Sequence, residues 1–162
     1  MAVKARLTIG AAAVCAAMLT IAGALAAQAN DPIVGTWTLN SAKSTYKPGP
    51  APKSATVVVE PAGKGIKVAV DAVNADGTPM KWGYTTMRDG KDVPVTGNPA
   101  YDTAATTMTT PSEGTTVYKK GGKTVATSKM SIAADGKTLT INSSGTDPKG
   151  QAMNNVIVMN KK

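Results

Sequence analysis

The side chains able to do chemistry are few in this 162-residue chain. It has no histidine and one cysteine, Cys15, so neither Ser-His-Asp nor Cys-His catalysis can be assembled, and imidazole metal sites are excluded. Ten carboxylates remain, and a glycosidase needs two of them facing each other across the scissile bond. Asp76, Asp89 and Asp135 each precede a glycine in a turn signal, and side-chain parity sends Glu60 and Asp71 away from the apolar face. No other pair announces itself among Asp31, Asp92, Asp102, Glu113 and Asp147. Gly122-Lys123-Thr124 and Gly136-Lys137-Thr138 end like a phosphate loop, but the earlier glycine that the motif requires is replaced by Val117 and Ser131. Met80, Met87, Met108, Met130, Met153 and Met159 are soft ligands of the kind that select Cu(I). Their scattered spacing, with no cysteine or histidine beside them, assigns them to filling irregular apolar gaps. No catalytic residue, metal or cofactor is expected.

Side chains that bind without reacting are better represented. Apolar walls with a few convergent hydroxyl or indole donors are what small-molecule sites use. Met80, Trp82 and Tyr84 alternate along one segment, Trp37 stands near the start of the first, and Tyr118 lies further on. Trp37, Met80, Trp82, Tyr84 and Tyr118 are therefore the candidate ligand-binding set, against the plainer reading that aromatics simply fill the interior. The formal net charge of +8 attracts anionic partners in general. Lysines are dispersed, however, aromatics are not interleaved with them, and Arg88 is the sole arginine after Arg6. Nucleic-acid recognition is not expected on that equipment.

Lys4 and Arg6 precede an uncharged run over residues 7–30, and Ala27-Gln28-Ala29 supplies a small-x-small cleavage signal. Residues 1–29 are expected to be a secretory signal peptide, with Ala24-Leu25-Ala26 as an alternative exit. An uncleaved anchor is the competing reading, since the run is long enough to span a bilayer, though Ala and Gly rather than Leu dominate it. Lipoprotein processing at Cys15 would leave a further hydrophobic run on the product and is set aside. Residues 30–162 then form one domain. It keeps a charge of about +6 and has no cysteine, so packing without disulfides must stabilise it in an oxidising compartment.

The elements that position these residues are strands. No segment carries a 3.6-residue apolar stripe, whereas two-residue alternation bounded by turn signals recurs throughout. Asp76-Gly77, Asp89-Gly90, Asp135-Gly136 and Gly121-Gly122 are hairpin dipeptides whose central residues can take positive φ. Between the turns the sequence predicts strands near 33–40, 55–60, 66–74, 78–88, 102–110, 115–120, 123–133, 137–145 and 152–159, with a short tenth at 91–95. Strands joined in succession by short turns most easily remove their edges by closing. The predicted fold is all-β, a single antiparallel up-and-down barrel of eight to ten strands, with a β-sandwich as runner-up. Parity points Trp37, Leu39, Val57, Val59, Ile66, Val68, Val70, Met80, Trp82 and Tyr84 inward, and leaves the last strand undecided. The proline-rich link over residues 41–54 is placed as a lid over one mouth. Missing aromatic girdles and lysine-bearing strand faces exclude an outer-membrane barrel, so no stable membrane insertion is expected after cleavage.

Ile33-Val34-Gly35-Thr36-Trp37-Thr38-Leu39 resembles the Gly-x-Trp opening strand of lipocalins and fatty-acid-binding proteins, small calycin barrels that hold a ligand in the cup. The wider pattern, Gly35-Thr36-Trp37-x-Leu39-Asn40 with Lys43-Ser44, Pro48-Gly49-Pro50-x-Pro52-Lys53-Ser54 and Asp89-Gly90-Lys91-x-x-Pro94-Val95-Thr96-Gly97-Asn98-Pro99, is similar to a group of small secreted bacterial proteins with no assigned activity. The first resemblance implies a barrel that binds a small apolar or amphipathic molecule. Its fatty-acid clamp of Arg and Tyr in the last strand is replaced here by Asn155 and Ile157, and its two helices by the link at 41–54. The sequence thus predicts a non-catalytic binding protein of the bacterial periplasm or exterior. The alternative is a filled barrel that binds or inhibits an envelope protein through loops such as Asp92 to Asp102.

Overall fold

Turn dipeptides punctuate the chain much as expected, and ten strands form between them in a computed structural model that describes residues 31–147 and 149–162. The leader assigned to residues 1–29 lies outside the described residues. The strands are β1 (Gly35–Leu39), β2 (Ser54–Ala62), β3 (Gly65–Val73), β4 (Pro79–Thr86), β5 (Asp89–Pro94), β6 (Thr103–Thr110), β7 (Glu113–Lys120), β8 (Lys123–Ile132), β9 (Thr138–Thr146) and β10 (Ala152–Lys161). Each pairs antiparallel with its chain neighbour except across β4 and β5, and β1 pairs with β10. One sheet results, in the order β4-β3-β2-β1-β10-β9-β8-β7-β6-β5.

Curling brings the two outer strands together, so the sheet is a nearly closed up-and-down barrel rather than a sandwich. The seam is held just beyond β5: Gly83 and Thr96 exchange two backbone hydrogen bonds of 3.0 Å, and Thr96 Oγ1 adds one to Gly83 O at 3.3 Å. Gly97 permits that approach: its φ is +82°, and a Cβ there would collide with Lys81 O across the seam, while one on Gly83 would collide with Val68 O of the neighbouring β3. Closure at the seam limits the exposed ladder edges of β4 and β5.

Two local expectations differ. In the Asp76-Gly77 and Asp135-Gly136 turns only the glycine takes positive φ. The aspartates instead accept hydrogen bonds from the backbone N–H two residues on, Thr78 to Asp76 and Lys137 to Asp135, each at 2.8 Å, because a short carboxylate mimics a turn carbonyl. The Asp89-Gly90 turn is displaced further. Arg88 itself takes positive φ, at 60°, and Asp89 opens β5. There the Arg88 guanidinium turns inward and forms an ion pair with Asp31.

Below the barrel, the floor is a packed cluster of Ile33, Trp37, Val59, Ile66, Ile132, Leu139 and Met159. Trp37 is fully buried and its indole N–H donates to Ile33 O at 2.8 Å, which satisfies its only donor. Lys161 Nζ sits 5.1 Å over its ring and donates to Pro32 O at 3.0 Å, tying the two chain segments that meet at this end. At the other end the proline-rich link divides in two. A 3-10 turn at Ser41–Lys43 is followed by Thr45 and Lys47, which hydrogen-bond along β10 to Val156 and Asn154. Only then do Pro50 and Pro52 cross the mouth.

Candidate functional site

The barrel is hollow above its floor. A cavity of about 390 Å³ is bounded by inward side chains of eight strands and by Tyr46, Pro50 and Pro52 of the link. A larger depression, about 880 Å³, lies outside against β2, β3, β4 and the seam, but it is an open surface with Lys67, Asp71 and Lys81 on it. The Lys81–Asp71 pair there is 74% and 55% exposed, and such ion pairs contribute little.

Register divides the cavity wall into two unlike halves. On β2, β3 and β4 three rows face inward: Ala55, Ala72 and Met80; Val57, Val70 and Trp82; Val59, Val68 and Tyr84. These β-branched and aromatic residues suit a half-buried pleated surface. On the other half one row runs unbroken across five strands: Thr106 faces Thr116, Thr116 faces Ser128, Ser128 faces Ser143, and Ser143 faces Asn155. All five line the cavity. The row above is Ala104, Tyr118, Ala126, Gly145 and Met153; the row below is Met108, Gly114, Met130, Ile141 and Ile157. A hydroxyl and amide belt is thus bracketed on both sides by apolar rows.

Within the belt the hydroxyls pair off. Thr106 Oγ1 and Thr116 Oγ1 are 3.0 Å apart in a buried contact, and Ser128 Oγ donates to Ser143 Oγ at 2.9 Å. Asn155 Oδ1 accepts from the Lys47 backbone N–H at 3.0 Å, which ties the link to the belt. A hydroxyl has one hydrogen to give, so each pair spends one donor and retains one.

Aromatics gather beneath the mouth. Trp82 stacks on Tyr84 with centroids 6.2 Å apart, Tyr101 stacks on Tyr118 at 4.5 Å, and Trp82 meets Tyr118 edge to face at 6.0 Å. Burial, then the neighbouring Tyr84 and Tyr101, pushes the Tyr118 hydroxyl well above its usual 10.0. Burial alone raises those of Tyr101 and Tyr46. All three therefore stay protonated at neutral pH and can donate. Arg88 is the one ionised side chain on the cavity wall among the described residues, and Asp31 pairs with it; the two are 18% and 10% exposed.

Of the five residues singled out in the sequence, Met80, Trp82, Tyr84 and Tyr118 line the cavity. Trp37 does point inward, but into the packed floor, and is not on the cavity wall. Sequence reasoning missed the belt, together with Tyr101, Tyr46, Met153 and Arg88. Counting strand pairs outward from the β8–β9 turn would have aligned Ser128 and Ser143, but the irregularity between Tyr118 and Lys119 shifts Thr116 one residue away from the count made from the β7–β8 turn; the Arg88 placement had no local signal. Among the described residues, no group of three or more His, Cys, Asp or Glu side chains is placed to hold a metal ion.

No family model matches the sequence, and no curated protein matches it. Solved structures match in shape. Zebrafish ileal bile acid-binding protein complexed with cholic acid is 11% identical, over 81% of this chain and 99% of that one, with a TM-score of 0.48. The siderocalin Ex-FABP is 10% identical, over 81% of this chain and 74% of that one, with a TM-score of 0.37. The barrel assignment itself rests on the strand order and the seam.

Proposed function

We propose that this chain is an exported carrier that holds a small, moderately apolar molecule inside its barrel without transforming it. The observation that carries the reading is the 390 Å³ cavity, which falls within the usual size range of ligand sites. At about 30 Å³ per molecule it would take roughly thirteen waters, and a buried water needs two to four polar partners. The valine-rich half of the wall offers only the Trp82 indole N–H and the Tyr84 hydroxyl, too few for that many waters, so an apolar body fits that half better than water does. Chemistry on the ligand finds little support: Tyr46, Tyr101 and Tyr118, which face it, are held neutral by burial and Arg88 is engaged by Asp31. The loop-borne role in protein binding presumes a filled interior, and the hollow barrel favours internal binding.

Trp82 lines the cavity while Trp37 is sealed in the floor, which gives a direct test. Titration with the uncharged dye Nile red is expected to quench tryptophan emission in the wild type. Trp82→Phe should abolish that quenching while dye emission still reports binding, and Met130→Trp should block the cavity and binding alike. Absence of dye binding to the wild type, or unchanged quenching in Trp82→Phe, would overturn the reading. Export is checked by the intact mass of protein recovered from the cell envelope, expected to lack residues 1–29.

A further inference from the structure

We infer that the ligand is uncharged and facially amphipathic, carrying hydroxyl or carbonyl oxygens along one side of its body rather than a polar head at one end. The inference rests on the carrier reading above and specifies what that cavity selects. Its basis is the belt of Thr106, Thr116, Ser128, Ser143 and Asn155, aligned residue against residue across five strands. Adjacent strands are about 4.8 Å apart, so four steps extend roughly 19 Å around the wall. That is an edge, not a point.

Position along the barrel axis decides the shape of the partner. A head-to-tail lipid needs polar groups at one end of its cavity and apolar walls along the rest. Here the polar row lies between the Tyr118 and Met153 row and the Met130, Ile141 and Ile157 row, while the β2, β3 and β4 half contributes only apolar and aromatic side chains to the wall. A flat molecule with one oxygenated side and one apolar side meets both halves at once.

The state of the hydroxyls points the same way. Thr106, Thr116 and Ser143 are 4%, 6% and 9% exposed, and their mutual bonds leave one hydrogen per pair without an acceptor among the described residues. Buried donors are rarely left unmade, so an acceptor arriving from outside the protein completes them. Charge selects against an anion. Among the described residues the cavity's one cation, Arg88, already has Asp31 as partner, and placing a carboxylate beside neutral hydroxyls would strand it without a counter-ion.

Two neutral steroids that differ in a single mid-body hydroxyl, progesterone and 11α-hydroxyprogesterone, provide the test, with palmitate as the head-to-tail anion. Each is used to displace Nile red from the protein purified from the envelope. The hydroxylated steroid is expected to bind about threefold to tenfold more tightly than progesterone, the yield of one good hydrogen bond, and palmitate to bind least. In Thr116→Val and Ser143→Ala the steroid preference, compared within each variant, should vanish. Equal affinity for the two steroids, a preference that survives both substitutions, or tightest binding by palmitate would overturn the inference and leave the carrier reading intact. Failure of Nile red itself to bind would instead refute the carrier reading on which this rests.

Discussion

Replacing Thr116 by valine keeps the β-branched shape that a strand favours and removes only the hydroxyl that meets Thr106 Oγ1 at 3.0 Å. Both threonines are nearly inaccessible, at 4% and 6%. The single variant therefore loses a neutral hydrogen bond, worth about 1 kcal/mol net, and also leaves the Thr106 hydroxyl without its protein partner, for a combined loss on the order of 1.5 kcal/mol. Thr106→Val should cost about the same. Replacing both removes donor and acceptor together, which is nearly neutral when shape is kept, so the double variant is expected within about 0.5 kcal/mol of wild type. The resulting coupling, on the order of 2.5–3 kcal/mol, is large for a contacting pair. Urea unfolding of the ligand-free protein measures it. With a slope of about 1.5 kcal/mol/M, each single variant should lower the midpoint by about 1 M and the double should restore most of it. Additive losses in the double variant would mean that each hydroxyl is separately hydrated, and the argument that the belt waits for an acceptor would fail with it.

Two further outcomes test the seam and the titrating groups. Gly97→Ala forces a side chain onto φ +82° and against Lys81 O; it should cost about 1–3 kcal/mol and raise hydrogen exchange at the Gly83 and Thr96 amides first, whereas unchanged protection there would show that the seam is held elsewhere. With no histidine, stability should be flat through neutral pH. Its alkaline limb should begin above pH 10.0, where unfolded tyrosines ionise while Tyr118, raised mainly by burial, stays neutral in the fold; stability is complete below that pH and falls as pH rises beyond it. On the acid side, Asp76, lowered first by the Thr78 hydroxyl, Asp89, first by the Lys91 side chain, and Asp102, first by the Gly121 N–H, contribute above their usual 3.8 and lose that contribution as pH falls through their lowered values. Tyrosinate absorbance and circular dichroism followed together would check both limbs; a tyrosine that ionises well before unfolding would contradict the burial of Tyr118.

The first four strands were legible because their apolar and polar residues alternate cleanly. Val57, Val59, Val68, Val70, Trp82 and Tyr84 all face inward as parity required, with Glu60, Lys67 and Lys81 on the other face. The later strands defeat the same rule. β6 reads Thr-Ala-Ala-Thr-Thr-Met-Thr-Thr, so threonine occupies both faces and no hydropathy contrast distinguishes in from out. What sets its register is long-range: Thr106 must face Thr116 because the turn between β6 and β7, with its irregularity between Met108 and Thr110, fixes the pairing. β10 is resolved by β9 in the same way, with Met153, Asn155, Ile157 and Met159 turned inward by their pairing to Gly145, Ser143, Ile141 and Leu139. Arg88 was illegible for a different reason. Its inward turn brings it to Asp31, which stands 57 residues earlier in the chain, so no local pattern announces the pair.

A hollow interior and a row of half-used hydroxyls both work against stability, and a domain has only about 5–15 kcal/mol to lose. Large cavities destabilise in proportion to the volume left unfilled, so a barrel free to vary would be expected to fill with larger side chains. This one does so at its floor, where Trp37, Leu139 and Met159 are packed to 0–2% exposure. One level higher the same sheet instead encloses a cavity of about 390 Å³. A packed floor and an open cavity within one sheet argue that the space is kept, not left over. A molecule present at a hundred times its dissociation constant adds about 2.7 kcal/mol, which is enough to offset a good part of what the open cavity costs.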